Sequence, residues 1–227
     1  MFNIIYLRLD YSKHIIVMNL SHLKHPKWEP EKWNDDICVT KSHNCYMYAL
    51  NKIDKNIVKT CRKYKKNENS YNYDKKLFRK RWEFMWARPG KADGYLFTKP
   101  YNCKDVVKGI LRDNKGSKKI KANDKCPYGY YRIALFTNKA GREFHFYRED
   151  SNGYWSHKNG WRKATNKDCR GELIKDPRKA ARGIYEVFCG FFMVPVHKHK
   201  KRMSNIMKFT RKNKVIRKKY TRKHKRR

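Results

Sequence analysis

Residues 128 to 196 set the strongest limit on the fold. "YGYYRIALFTN" (128–138) is dense in aromatic and β-branched residues. "AGREFHFYREDSNGYWSH" (140–157) reads as two strands around "DSNG", a hairpin signature. "FCGFFMVPV" (188–196) is a short continuous apolar run, the pattern of a buried strand. Strands gathered late in a chain with helical patterns ahead of them predict an α+β fold with an antiparallel sheet.

The earlier half supplies the helices. "SHNCYMYALNKI" starts with cap-type residues Ser42, His43 and Asn44, and Tyr46, Ala49, Leu50 and Ile53 follow at helical spacing. "NCKDVVKGILRDNKG" (102–116) reads as a second short helix ending near Gly116. Residues 26–36, with two prolines, read as an irregular approach. Residues 54–81 are polar and read as an exposed insertion. The expected domain plan is an N-terminal extension over 1–36, an α+β domain over 37–196 with an insertion at about 54–127, and a basic tail over 197–227.

Charge bears on partners rather than on fold. The chain carries 58 Lys+Arg against 20 Asp+Glu, a net +38, so polyanions will adhere to it. With 39% apolar and 15% aromatic residues it still has the material for a core, which argues against wholesale disorder. The tail is rich in Lys and Arg and holds no acid. Lys198, Lys200, Lys201, Arg202, Arg211, Lys212, Arg217, Lys218, Lys219, Arg222, Lys223, Arg226 and Arg227 are its candidate nucleic-acid contacts, with Phe209 and Tyr220 interleaved for stacking. Lys dominance favours phosphate neutralisation over base readout. "KHKKR" and "RKHKRR" also resemble nuclear import signals.

The seven cysteines are odd in number and show no short-spaced pair, so a reducing intracellular setting is expected. Charged residues interrupt the apolar N-terminus, which argues against a signal peptide and a membrane span. Met18 is an alternative start. There is no CxxC, HExxH, Walker loop or Gly-rich dinucleotide turn, so no metal or other cofactor is expected.

One constellation has the makings of chemistry. Cys45 sits at a helix start, where N–H groups and the dipole favour a thiolate and face a developing oxyanion. His145 and His157 flank the hairpin turn, and strand pairing is expected to bring them near opposite positions, one orienting the other. A helix cysteine, a sheet histidine and a second polar residue one hairpin later resembles the NlpC-type, papain-like cysteine peptidases and amidases. "NCYMYA" is similar to the nucleophile segment of their CHAP relatives, and "RPG" (88–90) to the turn before their first core strand. "HFYREDSNGYWSHKNG" and "DCRGELIKDP" also look like uncharacterised proteins of amoeba-infecting giant viruses.

The resemblance implies a papain-like fold of NlpC type and amide-bond chemistry on a peptide or other amide substrate; a monomer is expected. Cys45 would be the nucleophile, His145 the general base and His157 its orienting partner. Two departures stand out. The stretch from Cys45 to His145 is long for the family, and the family's upstream tyrosine has no counterpart, with Trp33 near its place. The Cys45 backbone, Tyr46 and His43 are the expected oxyanion donors. The alternative function is a non-catalytic, basic, nucleic-acid-associated viral protein built on the same scaffold, and the viral resemblance implies a virion, viral factory or host nucleus as its place.

Overall fold

Aromatic and β-branched side chains fit a pleated surface that is covered on both sides, and the late segments form that surface. The computed structural model describes residues 25–67, 86–95 and 99–196. The strands are β1 (Lys118–Ile120), β2 (Tyr130–Thr137), β3 (Phe144–Glu149), β4 (Trp155–Lys158), β5 (Ala164–Thr165) and β6 (Val187–Pro195). They make one six-stranded sheet in the order β1-β6-β2-β3-β4-β5, and every pairing is antiparallel. The α+β expectation holds at this level. The hairpin turns at Asp150–Gly153, where the Gly153 N–H bonds to the Asp150 carbonyl and Gly153 takes a φ of 82°.

Helices cover one face. They are α1 (Pro30–Asn34), α2 (Ile37–Ser42), α3 (Cys45–Ala49), α4 (Lys55–Asn67) and α5 (Cys103–Asp113). Tyr46 and Ala49 of α3 and Val106 and Ile110 of α5 pack on Tyr131, Ile133, Leu135, Phe146 and Phe192. The residues that alternate with these along the strands, among them Ala134, Phe136, Tyr147 and Phe191, meet Ile174 and Tyr185 from the long β5–β6 connection on the other face. Among the described residues no helix is long and apolar enough to cross a membrane.

Two observations bear on the expected domain plan. The approach segment belongs to the body: Pro30 starts α1, a position where its missing N–H costs nothing, and Trp33 is 1% exposed against Tyr48. The Asn34 side chain clasps the backbone of Ala164 from both sides, donating to its carbonyl and accepting its N–H. Within 54–127, α5 supplies part of the core face and β1 forms the sheet edge. The "RPG" turn docks on α5 and leads into a short 3-10 turn, Lys91–Asp93. A Cβ on Gly109 would lie 2.6 Å from the Pro89 carbonyl carbon, so only glycine admits this approach. The Met1 and Met18 starts, Phe209, Tyr220 and every tail candidate from Lys198 to Arg227 lie outside the described residues.

Four of the seven cysteines pair in the structure. Cys38–Cys61 joins α2 to α4, and Cys103–Cys189 joins the start of α5 to β6. Sequence separations of 23 and 86 hide both from any short-spacing search. The second bond uses a bulge. Leu135 pairs with Gly190 and Phe136 with Phe188, which leaves Cys189 out of register, and Gly190 takes a φ of 138°. Disulfides persist in oxidising surroundings, so they weigh against the reducing setting inferred from cysteine spacing.

Candidate functional site

Asn44 caps α3 as expected: its side-chain oxygen accepts the Met47 N–H at 3.2 Å and its amide donates to the Ala87 carbonyl at 2.8 Å. Cys45 follows as the first helical residue and is 5% exposed. Its thiol lies over the start of β3, with Sγ 3.8 Å from the Phe144 carbonyl as donor. Burial pushes the thiol up to about 12. The Phe146 and Tyr46 N–H groups and the Lys158 charge work weakly the other way, and Glu143 adds to the rise. The helix-start argument predicted a thiolate. The five-residue α3 has too small a dipole to offset removal from water, so Cys45 rests as a thiol.

His145 is also buried, stacked on Tyr185 with ring centroids 4.6 Å apart. Its Nε2 lies 2.8 Å from His157 Nδ1, and His157 Nε2 lies 3.1 Å from the Lys167 carbonyl. That carbonyl only accepts, which fixes both tautomers of a neutral pair. His157 carries its proton on Nε2 and accepts on Nδ1, so His145 donates from Nε2 and keeps its Nδ1 lone pair. Burial lowers the pKa of both rings, and each ring's neutral form dominates at neutral pH. The expected cross-strand contact exists but is diagonal: His157 stands opposite Tyr147, two residues along from His145 on the same face.

A cavity of about 520 Å³ curves round the start of β3 and is lined by both Cys45 and His145. Trp86, Tyr101, Trp161 and Tyr185 supply aromatic wall, and Arg88, Lys99, Arg142 and Arg162 supply cationic groups. His157 stands behind His145 and does not line it. Phe144 and Phe146 point under α3 while His145 points to the other face, so thiol and imidazole approach from two sides of β3. Among the described residues no hydrogen bond joins Sγ to the His145 ring.

Two expected oxyanion donors have other work. Tyr46 donates to Asp113 Oδ2 at 3.1 Å and accepts from the Asn114 amide at 2.9 Å, inside the core. His43 is fully buried: Nδ1 meets the Val39 carbonyl at 3.2 Å and Ser42 Oγ at 2.9 Å, and Nε2 accepts the Asp54 N–H at 2.9 Å. Neither lines the cavity. Of the three, the Cys45 backbone alone remains beside it.

His43 makes acid the protein's weak side. Burial lowers its pKa from 6.5 to about 4. The unfolded chain therefore binds this proton first, and the associated stability is lost as pH falls from 6.5 through 4, up to on the order of 3 kcal/mol. Urea midpoints measured at pH 7, 5 and 4 should fall, and the fall should be visibly smaller in His43→Gln. Equal slopes in the two proteins would remove His43 as a source.

Sequence reasoning missed Lys158. It is fully buried, and Nζ donates to the carbonyls of Thr40 (2.6 Å), His43 (2.6 Å) and Gly160 (2.5 Å). Strand alternation does place it beside Ser156 on the helix-covered face, but nothing in "WSHK" marks a buried ammonium.

No family model matches the chain, and no solved structure matches it. A curated relative is the insoluble matrix shell protein 1 of Ruditapes philippinarum. It is 34% identical over 169 residues, covering 74% of this chain and 89% of the relative. With that identity over nearly the whole of the relative, the chain belongs to the insoluble matrix shell protein 1 family.

Proposed function

We propose that the chain is a thiol-dependent hydrolase or transferase of papain-like, NlpC type, acting on an amide bond through Cys45, His145 and His157. The observation that carries the reading is the hydrogen-bonded line from the Lys167 carbonyl through His157 to His145, which lines the same cavity as Cys45. Because the thiol is protonated at rest, attack and proton transfer are coupled. Cys45 Sγ bonds to the substrate carbonyl carbon while its proton passes to His145 Nδ1. The Cys45 N–H faces the oxyanion. His145 then protonates the leaving nitrogen as the C–N bond breaks, which gives a thioester. Water or an amine attacks that thioester and restores the thiol. Rotation of the Cys45 side chain from the Phe144 carbonyl toward His145 is part of the step.

The disulfides and the relative's name favour an oxidising, extracellular matrix as the setting. They also support a second reading, a non-catalytic basic component that binds acidic polymers in such a matrix; the tail-borne nucleic-acid role is its intracellular form.

p-Nitrophenyl acetate separates the readings. In a Cys169→Ser background, which removes the exposed free thiol, the expected result is a burst of nitrophenolate and an acetyl group on Cys45. The burst is absent in Cys45→Ala and slowed roughly 10²–10⁴-fold in His145→Ala. Acetylation of Cys45 at equal rates with and without His145 would sink the enzymatic reading and leave the matrix component.

A further inference from the structure

The cavity's charge is lopsided. Arg88, Lys99, Arg142 and Arg162 line it, and Glu143 is the lone carboxylate among the described lining residues. Arg88, Arg142 and Arg162 make no salt bridge with any described carboxylate. Elsewhere this protein pairs its arginines, as in Arg62–Asp36, Arg112–Asp93 and Arg178–Asp176. Like charges held round one concavity repel each other, and that cost is removed when an anion enters. Aromatic rings stand among these exposed cations: Trp86 stacks on Trp161 at 5.9 Å, and Lys99 lies over the Tyr101 ring at 5.7 Å. Guanidinium groups hold carboxylates bidentately, which gives orientation as well as attraction.

We infer that the acyl donor is a peptide with acidic side chains flanking the scissile amide, held by Arg88, Arg142 and Arg162. The inference rests on the thiol-enzyme reading for the word "donor", but the recognition it describes can be measured without turnover.

The test uses the full chain carrying Cys45→Ala, with fluorescein-labelled peptides and anisotropy at about 0.15 M salt, where attraction beyond roughly 8 Å is screened. One peptide places two Asp on each side of a central amide, and the other replaces every Asp with Asn. The acidic peptide should bind at least tenfold more tightly. Arg88→Gln/Arg142→Gln/Arg162→Gln should abolish most of that preference. Lys55→Gln/Lys59→Gln/Lys63→Gln removes the same charge from the exposed face of α4 and should change affinity less than twofold. Equal weakening by the two triple variants would overturn the inference, because the attraction would then belong to the whole +38 surface. Equal affinity for the two peptides, or no binding of either, would overturn it as well. Failure of Cys45 acetylation with the peptide preference intact defeats the enzyme alone. Acetylation without the preference defeats this inference alone.

Discussion

Replacing Arg148 with methionine is expected to lower the unfolding free energy by about 3–5 kcal/mol, the cost of stranding a buried charge. Arg148 is fully buried on β3, and its partner Asp150 is 1% exposed at 2.7 Å. The guanidinium also donates to the Tyr48 hydroxyl at 3.1 Å, the Lys27 carbonyl at 3.2 Å and Asn51 Oδ1 at 3.3 Å, and it lies 4.4 Å over the Tyr48 ring. One side chain thus joins the approach segment, the end of α3 and the hairpin. Burial raises the pKa of Asp150 and Arg148 pulls it down, so without the arginine the carboxylate is left buried and unpaired. Urea denaturation at pH 7 should show the midpoint falling with the slope unchanged. Arg148→Met/Asp150→Leu should recover part of the loss, because neither charge is then stranded. A loss below about 1 kcal/mol in the single variant would show that the network is dispensable.

The sheet was legible because its signals are local. "YGYYRIALFTN" and "DSNG" state strand and turn within a few residues, and Asn44 and Asn102 mark helix starts that the structure keeps. Features requiring distant partners were not legible. Arg148 and Lys158 look like solvated strand charges until Lys27 and residues of α2 and α3 close over them. Cys38 finds Cys61 only because α4 packs on α2. The position of β6 between β1 and β2 depends on the long connection after β5, which carries no periodic pattern. The candidate site divides along the same line. The order of Cys45, His145 and His157 could be read from the chain, and so could the hairpin that brings the two imidazoles together. The state of the thiol could not, because desolvation outweighs the local helix-start effect.

Lys158→Met should both destabilise the protein and loosen Cys45. The ammonium takes the Thr40 and His43 carbonyls, which lie at the C-terminal end of α2, and ties them to Gly160 on the cavity wall. Three acceptors match the three N–H of the charged form. Methionine keeps the volume but strands all three carbonyls, a loss on the order of 3 kcal/mol or more at pH 6. The titration of Lys158 adds a second signature. Burial lowers it from 10.5 to about 7, so between those values the unfolded chain holds more proton. Wild-type stability should therefore gain on the variant as pH rises from 7 to 9, by up to about 1.4 kcal/mol per pH unit. Because the His43 carbonyl stands two residues before Cys45, releasing it frees the start of α3. Iodoacetamide should then alkylate Cys45 at least tenfold faster in Lys158→Met, under conditions where the labelling of exposed Cys169 is unchanged. If Cys45 stays as protected as in the wild type, the seat of the thiol is set by the Asn44 cap and the β3 backbone alone, and Lys158 is a local prop for α2.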